Sequence, residues 1–108
     1  PWMFLGVLQP LQIQQEINMP SIEITITNKL GLHARAAAKL TQLASRYTDT
    51  QIFIARGSQR VNAKSIMGVM MLAAGLGVNV TVDAEGPQAE VALEEVRQLF
   101  NDKFGEAE

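Results

Sequence analysis

The sequence predicts an α+β domain in which a four-stranded antiparallel sheet carries three helices on one face, in the order β-α-β-β-α-β-α. Three observations lead to this prediction. Two segments alternate strictly between apolar and polar residues, which is typical of half-buried strands. Two others repeat apolar residues at helical spacing, and a short, almost wholly apolar run follows a serine that can cap a helix. The 108 residues, 47% of them hydrophobic and 19% charged, suit one globular domain.

The first strand and the first helix follow from two clear patterns. In residues 21–27, isoleucine alternates with polar residues, so one face of this strand is apolar. A turn at residues 28–31 comes next. Beyond it, the apolar positions recur at helical spacing and predict a helix that buries them: Ala36, Ala37, Leu40, Leu43, Ala44 and Tyr47.

A hairpin and a short helix form the middle of the chain. Residues 51–55 and 59–63 predict two strands joined by the turn at 56–58. Ser65 then caps an apolar helix that runs to about Ala74, and the glycines that follow end it.

The last strand and the last helix complete the predicted fold. Residues 78–83 alternate valine with polar residues and predict the fourth strand. Gly86 and Pro87 start the last helix, because proline fits the first turn of a helix. This helix buries apolar residues at helical spacing: Ala89, Ala92, Leu93, Val96, Leu99 and Phe100.

Composition and charge narrow the classes of function. The chain has no cysteine and one histidine, so disulfides and thiolate metal sites are excluded and a stable metal site is not expected. The net charge is −2, but seven of the nine basic residues lie between Ile24 and Val82, and eight of the eleven acids lie from Asp83 onward. Two interpretations stay open: a solvated surface with an acidic last helix, or a basic face that attracts an acidic partner or phosphate.

Residues 1–18 differ from the rest of the chain. They carry several large apolar side chains and one charge, without the basic start or the cleavage site of a secretory signal. Their apolar runs, and the later run at 66–76, are too short to span a membrane. We expect 1–18 to be an extension that arises from the assigned start site or from cloning, or a tail that packs on a neighbouring molecule. The organised domain is then 19–108, and we expect it to be cytoplasmic and not inserted in a membrane.

His33 is the strongest candidate for chemistry. It lies where a glycine-containing turn passes into the first helix. An imidazole there can accept and release a proton or a phosphoryl group, and the free N–H groups and positive dipole end of the helix hold an anion. Arg35 opposes that dipole, so its placement makes most sense if an anion arrives. Two-step phosphoryl transfer fits these residues, whereas the simpler interpretation is a surface histidine or a helix cap.

The second helix predicts a docking surface. It is apolar around most of its circumference, so one stripe packs on the sheet and another stays exposed, where flexible methionines adapt to several partners. Alternatively, the N-terminal extension or a dimer partner covers this stripe. Ser65 also has a second, regulatory hypothesis. A phosphate on it places negative charge beside the stripe and repels an acidic partner.

Three stretches of the chain carry a family resemblance. They are ITNKLGLHARAAAKL (26–40), NAKSIMGVMMLAAGLG (62–77) and EGPQAEVALEEVRQLF (85–100). They resemble the HPr family of histidine-containing phosphocarriers of the bacterial phosphotransferase system, together with its nitrogen-branch paralogue. The resemblance implies an open-faced β-sandwich in which enzyme I, charged by phosphoenolpyruvate, phosphorylates His33 on Nδ1. His33 then passes the group to an enzyme IIA domain. Such a chain is a transfer component with no substrate turnover of its own and no cofactor.

The same resemblance implies roles for single residues. Arg35 corresponds to the arginine that supports the phosphate. Ser65 corresponds to the serine on which a kinase/phosphorylase acts in some bacteria. The positions that meet partners are Ala34, Ala38, Ile66, Met67 and Met70. One position departs from the family. Ala36 replaces the usual proline, which restores a backbone N–H but loses a fixed φ.

The branch of the system and two alternative functions stay open at this point. The segment LFNDKF at 99–104 is more similar to the nitrogen-branch paralogue, whereas the segment KSIMGVM at 64–70 is more similar to the sugar-transport carrier. One alternative is a regulatory binding module that uses the same docking helix without being phosphorylated. The other is a nucleic-acid binder that uses the basic region, but no aromatic residues are interleaved with the charges there.

Overall fold

The predicted order of elements is confirmed. The structure, a computed structural model, describes residues 19–108, so the expectation for residues 1–18 lies outside it. The strands are β1 (Ser21–Thr25), β2 (Gln51–Arg56), β3 (Gln59–Asn62) and β4 (Asn79–Glu85). The helices are α1 (Ala34–Ser45), α2 (Ile66–Met71) and α3 (Ala89–Asn101), and a short 3₁₀ turn (Lys103–Gly105) follows.

The four strands form one antiparallel sheet in the order β1-β4-β2-β3. The alternating strand residues share one face of this sheet, because Ile24 pairs with Val80 and Val82 pairs with Ile54. These side chains are buried, as are the apolar faces of α1 and α3. The helices therefore cover one face and leave the other open, as the α+β open-faced sandwich requires.

The other face of the sheet is polar and carries one organised ion pair. Arg60 on β3 donates to the Asp83 carboxylate on β4 at 2.5 Å, and its guanidinium lies 3.8 Å from the centre of the Phe53 ring. The hydrogen bond and charge of Asp83 raise the pKa of Arg60. This basic residue therefore has a structural partner on the side of the sheet opposite the helices.

Several element ends shift by a few residues from prediction: β1 ends at Thr25, β4 spans Asn79–Glu85, and α3 begins at Ala89 rather than at Gly86 and Pro87. There are two further differences. The second helix ends at Met71 rather than near Ala74, because Ala73 has a φ of +50°. Arg56 instead donates to the carbonyl oxygens of Leu72 and Ala73, at 3.2 and 2.9 Å, and so satisfies the end of the helix. The second difference is the 3₁₀ turn after α3, which no sequence pattern indicated.

In the described part of the chain, none of the helices combines the length and the apolar character that crossing a membrane requires. The longest, α3, has 13 residues.

Candidate functional site: the start of helix α1

The loop before α1 is held against the loop that follows α2. Gly31 has a φ of +65°, and a Cβ there would lie 2.6 Å from the carbonyl oxygen of Ala74. The next residue, Leu32, is buried and donates its backbone N–H to that same oxygen at 2.9 Å. Only glycine fits this close approach, and the inward Leu32 fixes the direction in which the chain enters the helix.

His33 is the residue that caps the start of α1 with its backbone alone. Its carbonyl accepts the first helical hydrogen bond, from Ala37 at 2.8 Å, but its side chain makes no capping hydrogen bond. The first-turn amides of α1 therefore have no intrahelical acceptor and face the end of the helix. Together with the helix dipole they form an environment that favours an anion.

Glu106 is part of this site, and the sequence did not indicate it. Its carboxylate bonds to Nε2 of His33 and accepts a hydrogen bond from Asn28 Nδ2 at 3.1 Å. Asn28 is fully buried and donates to the Gly31 carbonyl at 2.8 Å as well. As a result the imidazole is only 28% exposed and the Glu106 side chain is 13% exposed.

The chain turns sharply after α3, and this turn brings Glu106 to the imidazole of His33. Lys103, Phe104 and Gly105 all have positive φ values, between 54° and 78°. Phe104 is buried and packs edge-on against Phe100 at 4.8 Å between ring centres. The Nζ of Lys39 donates to the Phe104 carbonyl at 2.5 Å. The only sequence signal for this return is an aromatic residue followed by glycine near the end of an amphipathic helix.

The last residues fasten the tail to the loop before α1. The backbone N–H of Lys29 donates to the Glu108 carbonyl at 2.5 Å, and the two side chains form an exposed ion pair at 3.5 Å. Between tail and loop lies an open cleft of about 890 Å³, lined by His33, Arg35, Lys29 and Glu106 among others. Arg35 is exposed in this cleft, two residues after the imidazole.

The charges of the site act on Glu106. Burial raises the pKa of its carboxyl, but the hydrogen bonds from Asn28 and His33, with the charges of His33 and Arg35, outweigh burial and hold that pKa below its usual value. Glu106 is therefore ionised at neutral pH. Among residues 19–108, no three His, Cys, Asp or Glu side chains form a group able to hold a metal ion.

The basic segment of the sequence does not become one basic face. Of its seven cations, Lys29 and Arg35 line the cleft beside His33. Four others bond to carbonyl or carboxylate oxygens elsewhere: Lys39, Arg56, Arg60 and Lys64. The positive charge at the site therefore comes from Arg35 and the helix end, and from Lys29, which also pairs with Glu108.

The predicted docking stripe is exposed on α2. Met67 is 67% exposed, Ile66 and Met70 are 39% exposed, and Val69 of the same helix is fully buried. On α1, Ala34 is exposed and Ala38 half-buried. The sequence prediction omitted Met71 on α2 and Leu30 in the cleft, although both are well exposed.

Ser65 is the N-cap of α2, as predicted. Its Oγ accepts a hydrogen bond from the Gly68 N–H at 3.1 Å. Its side chain is exposed at the helix end next to Ile66.

Comparison with known proteins gives a consistent result. The family described as "PTS HPr component phosphorylation site" matches residues 20–102. A phosphocarrier protein HPr of Cupriavidus necator is 52% identical over 86 residues, which cover 80% of this chain and 96% of that protein. A phosphocarrier protein NPr of Shewanella violacea is 45% identical over 85 residues, 79% of this chain and 92% of that protein.

A solved structure agrees with these relatives. The crystal structure of HPr-C-His from Thermoanaerobacter tengcongensis is 43% identical and superposes with a TM-score of 0.78, covering 82% of this chain and 99% of that one. The family match covers most of the chain, and the relatives share both its sequence and its fold. The chain therefore belongs to the HPr family of phosphocarriers of the phosphotransferase system.

Proposed function

We propose that His33 accepts a phosphoryl group from phosphorylated enzyme I, which is charged by phosphoenolpyruvate, and passes it to an enzyme IIA domain. The observation that carries this proposal is the uncapped start of α1. There the imidazole lies beside amides without intrahelical acceptors, and Arg35 is in the same cleft. A phosphoryl group on the ring meets hydrogen-bond donors and positive charge without any rearrangement of the helix.

The transfer is a nucleophilic displacement. The lone pair of a ring nitrogen forms a bond to phosphorus as the bond between phosphorus and the donor breaks, and the donor atom keeps that electron pair. The reverse displacement passes the group to the acceptor. Arg35 supports the phosphoryl oxygens in both steps with charge-assisted hydrogen bonds.

Donor and acceptor use the same docking surface in turn. It consists of Ala34 and Ala38 on α1 with Ile66, Met67 and Met70 on α2. Exposed methionines adapt to two differently shaped partners at low cost, because their side chains are flexible and unbranched. Both partners act in the cytoplasm in this proposal, and neither nucleic acid nor membrane insertion is involved.

Ser65 is the proposed regulatory position, modified by a serine kinase and restored by a phosphorylase. A phosphate on its Oγ adds close to two negative charges at the start of α2, next to Ile66. The helix end tolerates that charge, but an acidic partner surface docking on α2 is repelled. Phosphoserine at this position therefore weakens docking while the fold is kept.

The decisive experiment is phosphorylation in vitro. The full chain is incubated with phosphoenolpyruvate and either the sugar-branch or the nitrogen-branch enzyme I, and the intact mass is measured before and after brief acid treatment. We expect a mass gain of one phosphoryl group that acid removes, and none for His33→Ala. The enzyme I that reacts faster identifies the branch. A chain that binds enzyme I but never gains the group would instead be a binding module.

A further inference from the structure

We propose that Glu106 is a positioning residue that keeps the ring proton of His33 on Nε2, so that Nδ1 presents the lone pair that attacks phosphorus. This inference rests on the proposed function and adds to it the residue that selects the reactive nitrogen. The carboxylate lies 73 positions along the chain from the imidazole and reaches it through the folded-back tail.

The hydrogen-bonding capacity of the two groups fixes the tautomer. An ionised carboxylate can only accept hydrogen bonds, so the Nε2 atom bonded to it must carry the proton. In a neutral imidazole the other nitrogen then holds the lone pair. Within residues 19–108 the His33 side chain makes no bond to the first-turn amides, so the Nδ1 lone pair is not used for helix capping.

Glu106 is itself held in place from several sides. Its second oxygen accepts from Asn28, a buried amide that is fixed in turn by the Gly31 carbonyl. The buried Phe104 and its carbonyl contact with Lys39 anchor the turn that precedes Glu106. On the far side, the bond from Lys29 to Glu108 holds the end of the tail. The carboxylate is therefore oriented before any partner arrives, which is what a positioning group requires.

The same contact balances charge during transfer. When Nδ1 forms its bond to phosphorus, the proton stays on Nε2 and the ring becomes a cation. The Glu106 carboxylate neutralises that cation, while the phosphoryl oxygens face Arg35 and the helix amides. When the group moves on to the acceptor, the electron pair returns to Nδ1 and the ring is neutral again with the same tautomer. No proton has to enter or leave in either direction.

The test compares Glu106→Ala and Glu106→Gln with the wild type. Glu108→Ala serves as the matched control in the same tail, because it removes an exposed carboxylate and keeps the backbone carbonyl that Lys29 bonds to. The first measurement uses the unphosphorylated, ¹⁵N-labelled full chain. We expect the wild type and Glu108→Ala to show a solvent-protected proton bonded to Nε2, and Glu106→Ala to lose it. Glu106→Gln keeps the proton, because the amide oxygen still accepts a hydrogen bond.

The second measurement is transfer from phosphorylated enzyme I. We expect Glu106→Ala to lower kcat by about 10- to 100-fold with KM unchanged, the loss seen when carboxylates that orient metal-bound histidines are removed. Glu106→Gln falls between, because it restores the orientation without the charge. A wild-type proton on Nδ1, or an unchanged kcat in Glu106→Ala, would overturn the role of Glu106. Failure of the proposed function looks different, since then the wild type also gains no phosphoryl group while the Nε2 proton persists.

Discussion

The starts of α1 and α2 differ in how the side chain of the capping residue is used. Each helix leaves unpaired amides at its N-terminus. Ser65 fills one of these on α2 with its own Oγ, 3.1 Å from the Gly68 nitrogen. His33 leaves those of α1 unfilled and directs Nε2 to Glu106 instead. The serine end therefore pairs one of its donors with its own side chain, whereas the histidine end leaves its donors to a ligand.

The largest expected effect is the loss of phosphorylation when the residue at the start of α1, and not the one at the start of α2, is replaced. His33→Ala abolishes the acid-labile phosphoryl adduct, because no other imidazole exists in the chain. Ser65→Ala keeps the adduct but lowers the free energy of unfolding by about 1 kcal/mol, the usual cost of losing an N-cap. Intact mass and urea unfolding of both variants check this. Equal phosphorylation of His33→Ala and Ser65→Ala would contradict the assignment of the phosphoryl group to His33.

The next prediction concerns Arg35, which lies at the start of α1 beside His33. Removing a charge-assisted hydrogen bond costs about 1.5–3 kcal/mol, so Arg35→Ala slows phosphoryl transfer by about tenfold or more. The control is Arg46→Ala, which removes an exposed cation beyond the other end of α1. Single-turnover transfer rates measure both. If both variants slow equally, general attraction to the partner and not support of the phosphate is the cause.

A negative charge introduced at Ser65, at the start of α2, should weaken the binding of partners without changing the stability of the fold. Asp caps helices about as well as Ser, so Ser65→Asp leaves the unfolding midpoint nearly unchanged. Its negative charge beside the docking surface raises KM for enzyme I several-fold. Ser58→Asp, in the exposed turn between β2 and β3, is the control that adds the same charge elsewhere. A KM that rises equally in both variants contradicts a local effect.

The Glu106 contact predicts a specific sensitivity to acid. The folded state holds the pKa of this carboxyl below its unfolded value of about 4.3. The stability it contributes is therefore complete above that value and is lost as the pH falls through the folded pKa. Urea unfolding between pH 7 and pH 3 should show a steeper acid loss for the wild type than for Glu106→Gln. Superimposable curves would show that the contact contributes nothing.

The smallest expected effect concerns the first turn of α1. Ala36 lies there, where an N–H has no intrahelical acceptor and proline is tolerated. Ala36→Pro should raise the free energy of unfolding by roughly 0.4–1 kcal/mol by restricting the unfolded chain. Thermal melts measure this, with Ala38→Pro, deeper in the same helix, as a destabilised control. A lowered Tm for Ala36→Pro would contradict the prediction.

The sequence predicted elements whose signals are local. Alternating isoleucines identified β1, Ser65 before an apolar run identified the cap of α2, and the turn at Gly31 placed His33 at a helix start. These features depend on residues only a few positions apart. The same local logic missed the end of α2, because the bond from Arg56 joins positions 17 apart.

The contact between Glu106 and His33 could not be predicted from the sequence for a different reason. It depends on three successive residues with positive φ, and of these only Gly105 is a residue type that adopts this conformation readily, because it lacks a Cβ. Asn28 gave the pattern of an ordinary turn residue, yet it is buried and holds Glu106. Counting charges also overestimated the basic face, because most of those cations are satisfied by oxygen atoms that only the fold brings near.

The most direct test maps where the phosphoryl group is carried. The wild-type chain is phosphorylated with phosphoenolpyruvate and enzyme I, digested at alkaline pH, and sequenced by tandem mass spectrometry with a fragmentation method that preserves phosphohistidine. The uncapped start of α1 predicts the group on His33, with Ser65 unmodified under these conditions. A group found on Ser65, or on neither residue while enzyme I itself is phosphorylated, would contradict the account.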